Sequence, residues 1–252
     1  MPSISGQKIL ILGGTSGIGF AVANLALAEQ VAVTVASSSS EKVAHAVDRL
    51  RASFADGHVA GQTIDLASDD ELEARLKQLL DDITDGGSNP LDHIVTTAGN
   101  ASPQKTSEIT QAIIRGDGKV PVTAVALLLG KLAPKYLKQH YTSSLIFTSG
   151  QVAHKPIPDW TVASAYAAGL FGITRGLALE LKPLRVNLVS PGPTDTEAWG
   201  PIRDQMRQFV ASSALLGKPG SPEEVAEAYI YLMKNGDATG SNVDSNGGSL
   251  LR

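Results

Sequence analysis

The chain of 252 residues is 42% hydrophobic and 18% charged, with a formal net charge of −4; this balance suits one large α/β domain with a substantial core. The acidic balance and the lack of any Lys/Arg cluster exclude a nucleic-acid or other polyanion surface, because phosphate binding needs clustered cations. Cysteine is absent, which excludes disulfides, thiolate catalysis and cysteine-ligated metals.

No apolar stretch follows a basic patch in Met1–Lys8, as a secretory signal would require. The longest apolar run, Val122–Leu129, is too short to span a bilayer. A cytoplasmic protein without membrane contact or resident metal is therefore expected.

Apolar segments of two periods alternate along the chain. Lys8–Leu12 is a continuous apolar run that enters a glycine-rich turn, as a buried parallel strand does. Ile18–Ala28 has the period of a helix, Val31–Ala36 that of a strand, Glu41–Phe54 a helix and Val59–Ile64 a third strand. Asp69–Ile83 is the clearest helix, with Leu72, Leu76, Leu79 and Ile83 on one face. After the Gly86–Pro90 break come a strand at His93–Thr97, a helix at Val120–Leu137 and a strand at Ser144–Thr148. A long Ala/Gly-rich helix follows at Thr161–Leu181, then a strand at Leu184–Val189. Ser221-Pro222-Glu223-Glu224 is a capping box with proline at the first helical position, and it opens a helix to Lys234. Alternating βα units of this kind predict one domain over residues 1–252, an α/β fold built on a doubly wound parallel sheet of about seven strands. Ligands of such sheets bind beyond the carboxyl ends of the strands.

The first such end is Gly13-Gly14-Thr15-Ser16-Gly17-Ile18-Gly19. Glycines there allow a tight turn and close approach of a pyrophosphate, while the following helix offers free N–H groups and a positive dipole end. A side chain at Gly17 is expected to occupy the space of that pyrophosphate. The alternative is a glycine-rich turn chosen for its backbone angles alone.

This segment resembles the fingerprint of the short-chain dehydrogenase/reductase family, and further segments fall in that family's order over nearly the whole chain. Asp65-Leu66 resembles the pair that contacts adenine, although Asp65 by itself could equally cap a helix. Thr96-Thr97-Ala98-Gly99 is similar to the family's Asn-Asn-Ala-Gly, with both asparagines replaced. Arg185-Val186-Asn187 leads into Pro191-Gly192; Thr194 follows, Thr196 matches the threonine that holds the nicotinamide amide, and Asn246-Gly247-Gly248 resembles the closing Asp-Gly-Gly. The resemblance implies a Rossmann-type fold, a substrate lid at about 193–218, a small-molecule substrate, and a homodimer or homotetramer paired through the Ala/Gly-rich helix and the helix before it.

The second strand bears on cofactor choice. An acid about 20 residues past the glycines would bind a ribose 2′-hydroxyl and repel a 2′-phosphate. The strand ends instead at Ser37-Ser38-Ser39-Ser40, with Lys42 in the first turn of the next helix. NADPH/NADP⁺ is expected over NAD.

The family's proton-transfer machinery is a Tyr-x-x-x-Lys pair and a serine. Trp160 and Thr174-Arg175 match flanking family positions, and this register puts Ala163 at the tyrosine and Ala167 at the lysine. Using Tyr166 instead would put Leu170 at the lysine, and no Tyr-x-x-x-Lys occurs anywhere in the chain. Ser149-Gly150 stands where the family has Ser-Ser, with Gly150 at the catalytic place, and no asparagine is available between 101 and 186 for the helix that follows the fourth strand. The polar groups left near that mouth include Ser149, Gln151, His154, Lys155, Asp159, Tyr166 and Asp195. Asp159, Ser149 and Asp195 are the candidate catalytic groups. For Asp159 a helix N-cap is the competing role, for His154 and Lys155 a solvated loop, and for Tyr166 packing. Trp199 and Met206 would face substrate from the lid or pack it down.

The expected function is an NADPH-dependent reductase of an imine or iminium acceptor in secondary metabolism. Such an acceptor forms no alkoxide and needs no tyrosine acid. A likeness to reductases of fungal alkaloid pathways points the same way. A non-redox NADP-binding sensor or scaffold, and a cyclase using the pocket for shape, are the competing readings.

Overall fold

The computed structural model describes residues 2–67, 70–99, 102–116 and 120–251. Its elements in chain order are β1 (Lys8–Leu12), α1 (Gly17–Ala28), β2 (Ala32–Ser37), α2 (Ser40–Ser53), β3 (Val59–Thr63), α3 (Leu72–Thr84), β4 (His93–Thr96), α4 (Gln111–Arg115), α5 (Val122–Tyr136), β5 (Ser144–Thr148), α6 (Thr161–Glu180), β6 (Arg185–Pro191), α7 (Arg203–Ser213), α8 (Pro222–Lys234) and β7 (Asn242–Ser245). The strands form one parallel sheet in the order β3-β2-β1-β4-β5-β6-β7. The order reverses direction at β1, where the chain steps outward to β2 and β3 and then crosses back to β4. That reversal opens the crevice at the carboxyl ends of β1 and β4.

Alternation along the strands supplies two apolar faces. Ile9 and Ile11 point into a core shared with Val33 and Val35 under α1, α2 and α8. Leu10 and Leu12 point the other way, into a core with Leu76, Leu129, Leu170 and Leu177 under α3, α5 and α6. The Ser221 capping box forms as expected: Ser221 Oγ accepts from Glu224 N at 3.2 Å, and Ser221 N donates to Glu224 Oε2 at 2.9 Å.

Element ends differ from the expected ones where the apolar period stops being informative. The expected helix start at Asp69 lies outside the described residues, and α3 begins at Leu72 after Glu71, whose side chain makes no cap bond. The strand expected over Leu184–Val189 runs two residues further because β7 pairs with it from Leu188 to Pro191. Asn242-Val243-Asp244-Ser245 has no apolar run, so β7 is set by its partner and not by its own sequence. Only Val210 of α7 is buried, which leaves that helix almost without a hydrophobic stripe.

The β6–β7 corner is held by the family-like Arg185-Val186-Asn187 run. The buried Arg185 guanidinium donates to the carbonyls of Leu232 at 2.5 Å and Met233 at 2.9 Å, at the end of α8, and to Tyr141 O at 2.5 Å. A cation at a helix C-terminus is favourable in itself. Asn187 Nδ2 donates to Ala238 O at 2.7 Å, and its Oδ1 accepts from Ser241 N at 3.1 Å.

Helix α6 has the length and apolarity needed to cross a bilayer. In this fold it lies against β6 and α5 with Leu170 and Leu177 buried in the sheet core.

Candidate active site

The turn between β1 and α1 is built by close backbone contact. Gly13 sits at φ 89°, donates its N–H to Ala36 O at 2.8 Å, and leaves only 2.5 Å between its would-be Cβ and Ala98 N. A Cβ on Gly19 would come within 2.3 Å of Gly13 O and 2.4 Å of Thr97 Oγ1. Any side chain at either position would therefore push the turn apart. Thr97 takes part in the turn, with its hydroxyl within hydrogen-bond reach of Leu12 O and Gly13 O, each at 3.2 Å. One hydroxyl thus ties the β4 end to the β1 end where the resemblance expects an asparagine.

Gly17 faces the segment after β6. It sits at φ 50°, and a Cβ there would meet the methyl of Thr196 at 3.1 Å, with Glu197 Oε2 at 3.9 Å. A side chain at 17 would thus collide first with the segment after β6. Thr15 and Ser16 complete the turn; Ser16 is the N-cap of α1 in an extended conformation and makes no side-chain cap bond. The first turn of α1 carries no acid, and among the described residues no side chain is bonded to the N–H groups of Gly17, Ile18 and Gly19. A cradle that a Cβ would fill, with an uncapped helix start, fits a pyrophosphate.

The β2 end presents Ser37, the exposed Ser38 and Ser39. Ser39 caps α2 by accepting from Lys42 N at 3.3 Å, which fixes Lys42 in the first helical turn with its side chain exposed. Asp65 accepts from Ala67 N at 2.9 Å, and its carbonyl accepts from Arg75 Nε at 2.8 Å. It shapes the loop after β3 and does not cap α3, so the helix-capping alternative is set aside; Leu66 beside it is buried. Ala98 and Gly99 continue from β4, and a Cβ on Gly99 would meet Val122 at 3.1 Å.

At the β6 end, Gly192 passes so close to Asn246 that a Cβ would lie 2.7 Å from Asn246 Cα. Pro191 pairs with Ser245 in the same ladder. The two family-like segments Pro191-Gly192 and Asn246-Gly247-Gly248 are therefore one contact. Thr194 is buried and donates from its hydroxyl to Gly192 O at 3.0 Å.

On the β5 side, Ser149 Oγ donates to the carbonyl of Ala167 at 2.9 Å, and Ser149 N to Val189 O at 2.9 Å. Gly150 has open space around it: the nearest atom to a would-be Cβ is Pro191 O at 3.9 Å. Ala163 and Ala167 lie one turn apart on α6, and Ala167 is the buried one. Asp159 precedes the helix. The N-cap itself is Trp160, so Asp159 is not the cap, and it is held at φ 64° with its carbonyl accepting from Gln104 N at 2.5 Å. A non-glycine residue in that conformation is uncommon and is often found at functional loops. The residue is exposed.

Asp195 is placed quite differently. Its carboxylate accepts from Arg203 Nε and Arg207 Nε, each at 2.6 Å. Burial alone would raise its pKa, but the hydrogen bonds from the two arginines outweigh that and hold the carboxyl below its ordinary value.

The remaining polar candidates are tied down. His154 packs edge-on against Phe171 with centroids 4.6 Å apart, Lys155 Nζ donates to Ser249 O at 3.2 Å, and Gln151 accepts from the Ser249 hydroxyl. Tyr166 donates to Ile114 O and joins α6 to α4. Trp199 and Met206 are half-buried in the segment after β6. Sequence reasoning did not find the Thr148 hydroxyl, which donates to Thr96 O at 2.5 Å and meets Tyr229 Oη at 2.7 Å. Burial pushes the Tyr229 hydroxyl well up, against a smaller opposing effect of the Thr148 bond, so Tyr229 stays protonated. Arg203 and Arg207 were also missed, although their four-residue spacing puts both on one helix face. Among the described residues no cluster of His, Cys, Asp or Glu has the makings of a metal site.

Residues 3–252 match the SDR-like Rossmann domain family. A short-chain dehydrogenase/reductase of Stachybotrys chlorohalonatus is 45% identical, with 100% of both chains covered. The solved structure of the MalC reductase/Diels-Alderase from Malbranchea aurantiaca is 35% identical with a TM-score of 0.90, covering 98% of this chain and 97% of that one. A small-chain dehydrogenase crystallised in complex with NADPH is 30% identical with a TM-score of 0.76, covering 98% and 99%. The chain described here belongs to the short-chain dehydrogenase/reductase family.

Proposed function

We propose that this protein is an NADPH-dependent reductase of a small molecule whose acceptor is an imine or iminium carbon. The observation that carries the reading is a glycine-rich turn that fits a pyrophosphate, in a chain whose Ala163, Ala167 and Gly150 stand where the family's register places its acid and its serine. The glycine-rich turn Gly13–Gly19, with Thr15, Ser16 and Ile18, would hold the pyrophosphate. Ser37, Ser38, Ser39 and Lys42 would hold the 2′-phosphate, and Asp65 and Leu66 the adenine. Ala98, Gly99, Pro191, Gly192, Thr194 and Thr196 would hold the nicotinamide half. The NADPH complex of a 30% identical family member supports this choice of cofactor. When bound, NADPH supplies a hydride.

A ketone must take up a proton as hydride arrives, and a positioned acid commonly contributes ~10²–10⁴-fold. An iminium already carries the charge that hydride neutralises, so the lack of an acid costs it little. A carboxylate at the mouth would help by stabilising that cation. Asp159 is exposed there and held in a left-handed turn just before Ala163, whereas Asp195 is already neutralised by two arginines. Ser149, with its proton given to Ala167, offers lone pairs and no acid.

A second reading, cyclisation in the same pocket, is favoured by the likeness to a protein described as both reductase and Diels-Alderase. We place the protein in the cytoplasm as a homodimer or homotetramer. The outward side of α5 and α6 supports the pairing: Leu127 and Leu179 are 52% and 77% exposed, and would-be Cβ atoms on Gly172 and Gly176 meet nothing within 4 Å.

The test is NADPH oxidation by purified protein against iminium ions, imines and ketones. Turnover of iminium substrates is expected, with Asp159→Asn slowing it about tenfold or more at unchanged NADPH affinity. Fast turnover of simple ketones with no iminium activity overturns the proposal.

A further inference from the structure

Helix α7 is poorly anchored by hydrophobic contact. Only Val210 is buried on it, and Phe209 is 66% exposed. A single carboxylate also meets it. Arg203 and Arg207 lie one turn apart and so point the same way, and each delivers Nε to a different oxygen of Asp195 at 2.6 Å. Arg203 adds a bond from Nη2 to Asp195 O at 3.3 Å. Asp195 is in turn locked to the body, because its N–H donates to Gly220 O at 2.9 Å and Gly220 N donates to Pro193 O at 3.0 Å.

The residue after this clamp, Thr196, lies against the glycine-rich turn, its methyl 3.1 Å from the Cβ position of Gly17. The clamp therefore joins the helix to the strip of chain that covers the dinucleotide turn. Beside it, a depression of about 460 Å³ that opens to solvent is lined by Asp195, Arg207, Ala211, Lys218 and Gly220.

We propose that Asp195 is a positioning residue: by holding Arg203 and Arg207 it latches α7 and the 194–197 strip over the dinucleotide turn, and it sets how fast the dinucleotide leaves. The proposal rests on the dinucleotide reading above for its ligand, but the latch itself is a property of the protein alone. A carboxylate that takes both guanidinium groups in directed, charge-assisted bonds is stronger than either pair separately. The pairs are partly exposed, with side-chain exposures of 19% for Asp195, 36% for Arg203 and 45% for Arg207, so the latch is breakable, as a moving part has to be.

The test uses the full-length protein and Asp195→Asn, with Asp195→Glu to keep the charge. Amide hydrogen exchange over 203–213 in dinucleotide-free protein should speed up in Asp195→Asn while the melting temperature holds. Stopped-flow displacement of NADPH by excess NADP⁺ should show dissociation about three- to tenfold faster, with Asp195→Glu recovering part of the change. Arg203→Gln combined with Arg207→Gln should match Asp195→Asn, which tests the latch without touching residue 195. Unchanged exchange in α7, or faster exchange with unchanged dissociation, overturns the proposal. Failure of the wild-type protein to bind NADPH strikes the dinucleotide reading itself, and α7 exchange then decides the latch alone.

Discussion

The Ser149 hydroxyl donates to the carbonyl of Ala167 at 2.9 Å, so the residue just before the empty serine position is bonded to the backbone of the empty lysine position. A backbone strut from β5 to α6 thus stands beside positions that keep only small side chains. The hydroxyl's single proton is committed to the strut. Ser149→Ala should then cost about 1 kcal/mol and lower the melting temperature by about 2–4 °C, with NADPH affinity unchanged. Calorimetry and urea unfolding read the first effect, and a fluorescence titration reads the second. A large loss of turnover without loss of stability would assign Ser149 to the chemistry instead.

Glycines 19 and 150 should respond oppositely to an added side chain. At Gly19 a Cβ would overlap Gly13 O and Thr97 Oγ1, at 2.3 and 2.4 Å. Gly19→Ala is expected to abolish NADPH binding and to destabilise the β1 turn. At Gly150 the nearest atom is 3.9 Å away and the backbone is extended at φ −175°, so Gly150→Ser should change stability by no more than about 0.5 kcal/mol. Thermal melts with and without NADPH compare the two directly.

On the proposed reading, the end of β2 is where cofactor preference would be set. Ser38 is exposed there, with no carboxylate in the strand to repel a 2′-phosphate. Ser38→Asp should reverse the order of NADPH and NADH affinity, measured by calorimetry at one fixed salt concentration. Equal affinities in the wild-type protein would remove the basis for the preference.

His93 gives a pH dependence remote from the mouth. It is fully buried between Gln7 and Ser144, with ring nitrogens 2.7 and 2.9 Å from their oxygens. Burial first, then the charges of Arg185 and Lys138, push its pKa from 6.5 down to about 3. The unfolded chain therefore takes up a proton near pH 6.5 that the folded protein refuses. Stability is full above pH 6.5 and falls as pH drops toward about 3, by up to about 1.4 kcal/mol per pH unit. Urea unfolding between about pH 7.5 and about pH 5.5, roughly one unit above and below the free histidine value, should show that slope, and His93→Gln should flatten it.

The alternating periods and the glycine-rich turn determined the parallel α/β fold, because fully buried strands and one-sided helices each leave a pattern in their own residues. Elements without such a pattern escaped: β7 pairs with the ladder that β6 offers it, and α7 buries only Val210. The glycine-rich turn was legible because its glycines lie close together in sequence between a strand and a helix. The contacts they make with Thr97, Ala98 and Thr196 were not, since those residues are brought to the turn by other strands of the sheet. The same holds at the mouth. The sequence by itself determined that Ala163, Ala167 and Gly150 lack acid and hydroxyl groups, for no packing can restore an atom that is absent. Only the tertiary structure decided what the remaining polar groups do. It gave Ser149 to a backbone strut, Asp195 to two arginines and Asp159 to an exposed left-handed turn, because pairs such as Asp195 with Arg203 and Arg207, or Ser149 with Ala167, leave no periodic signal in the chain and meet only in the folded structure.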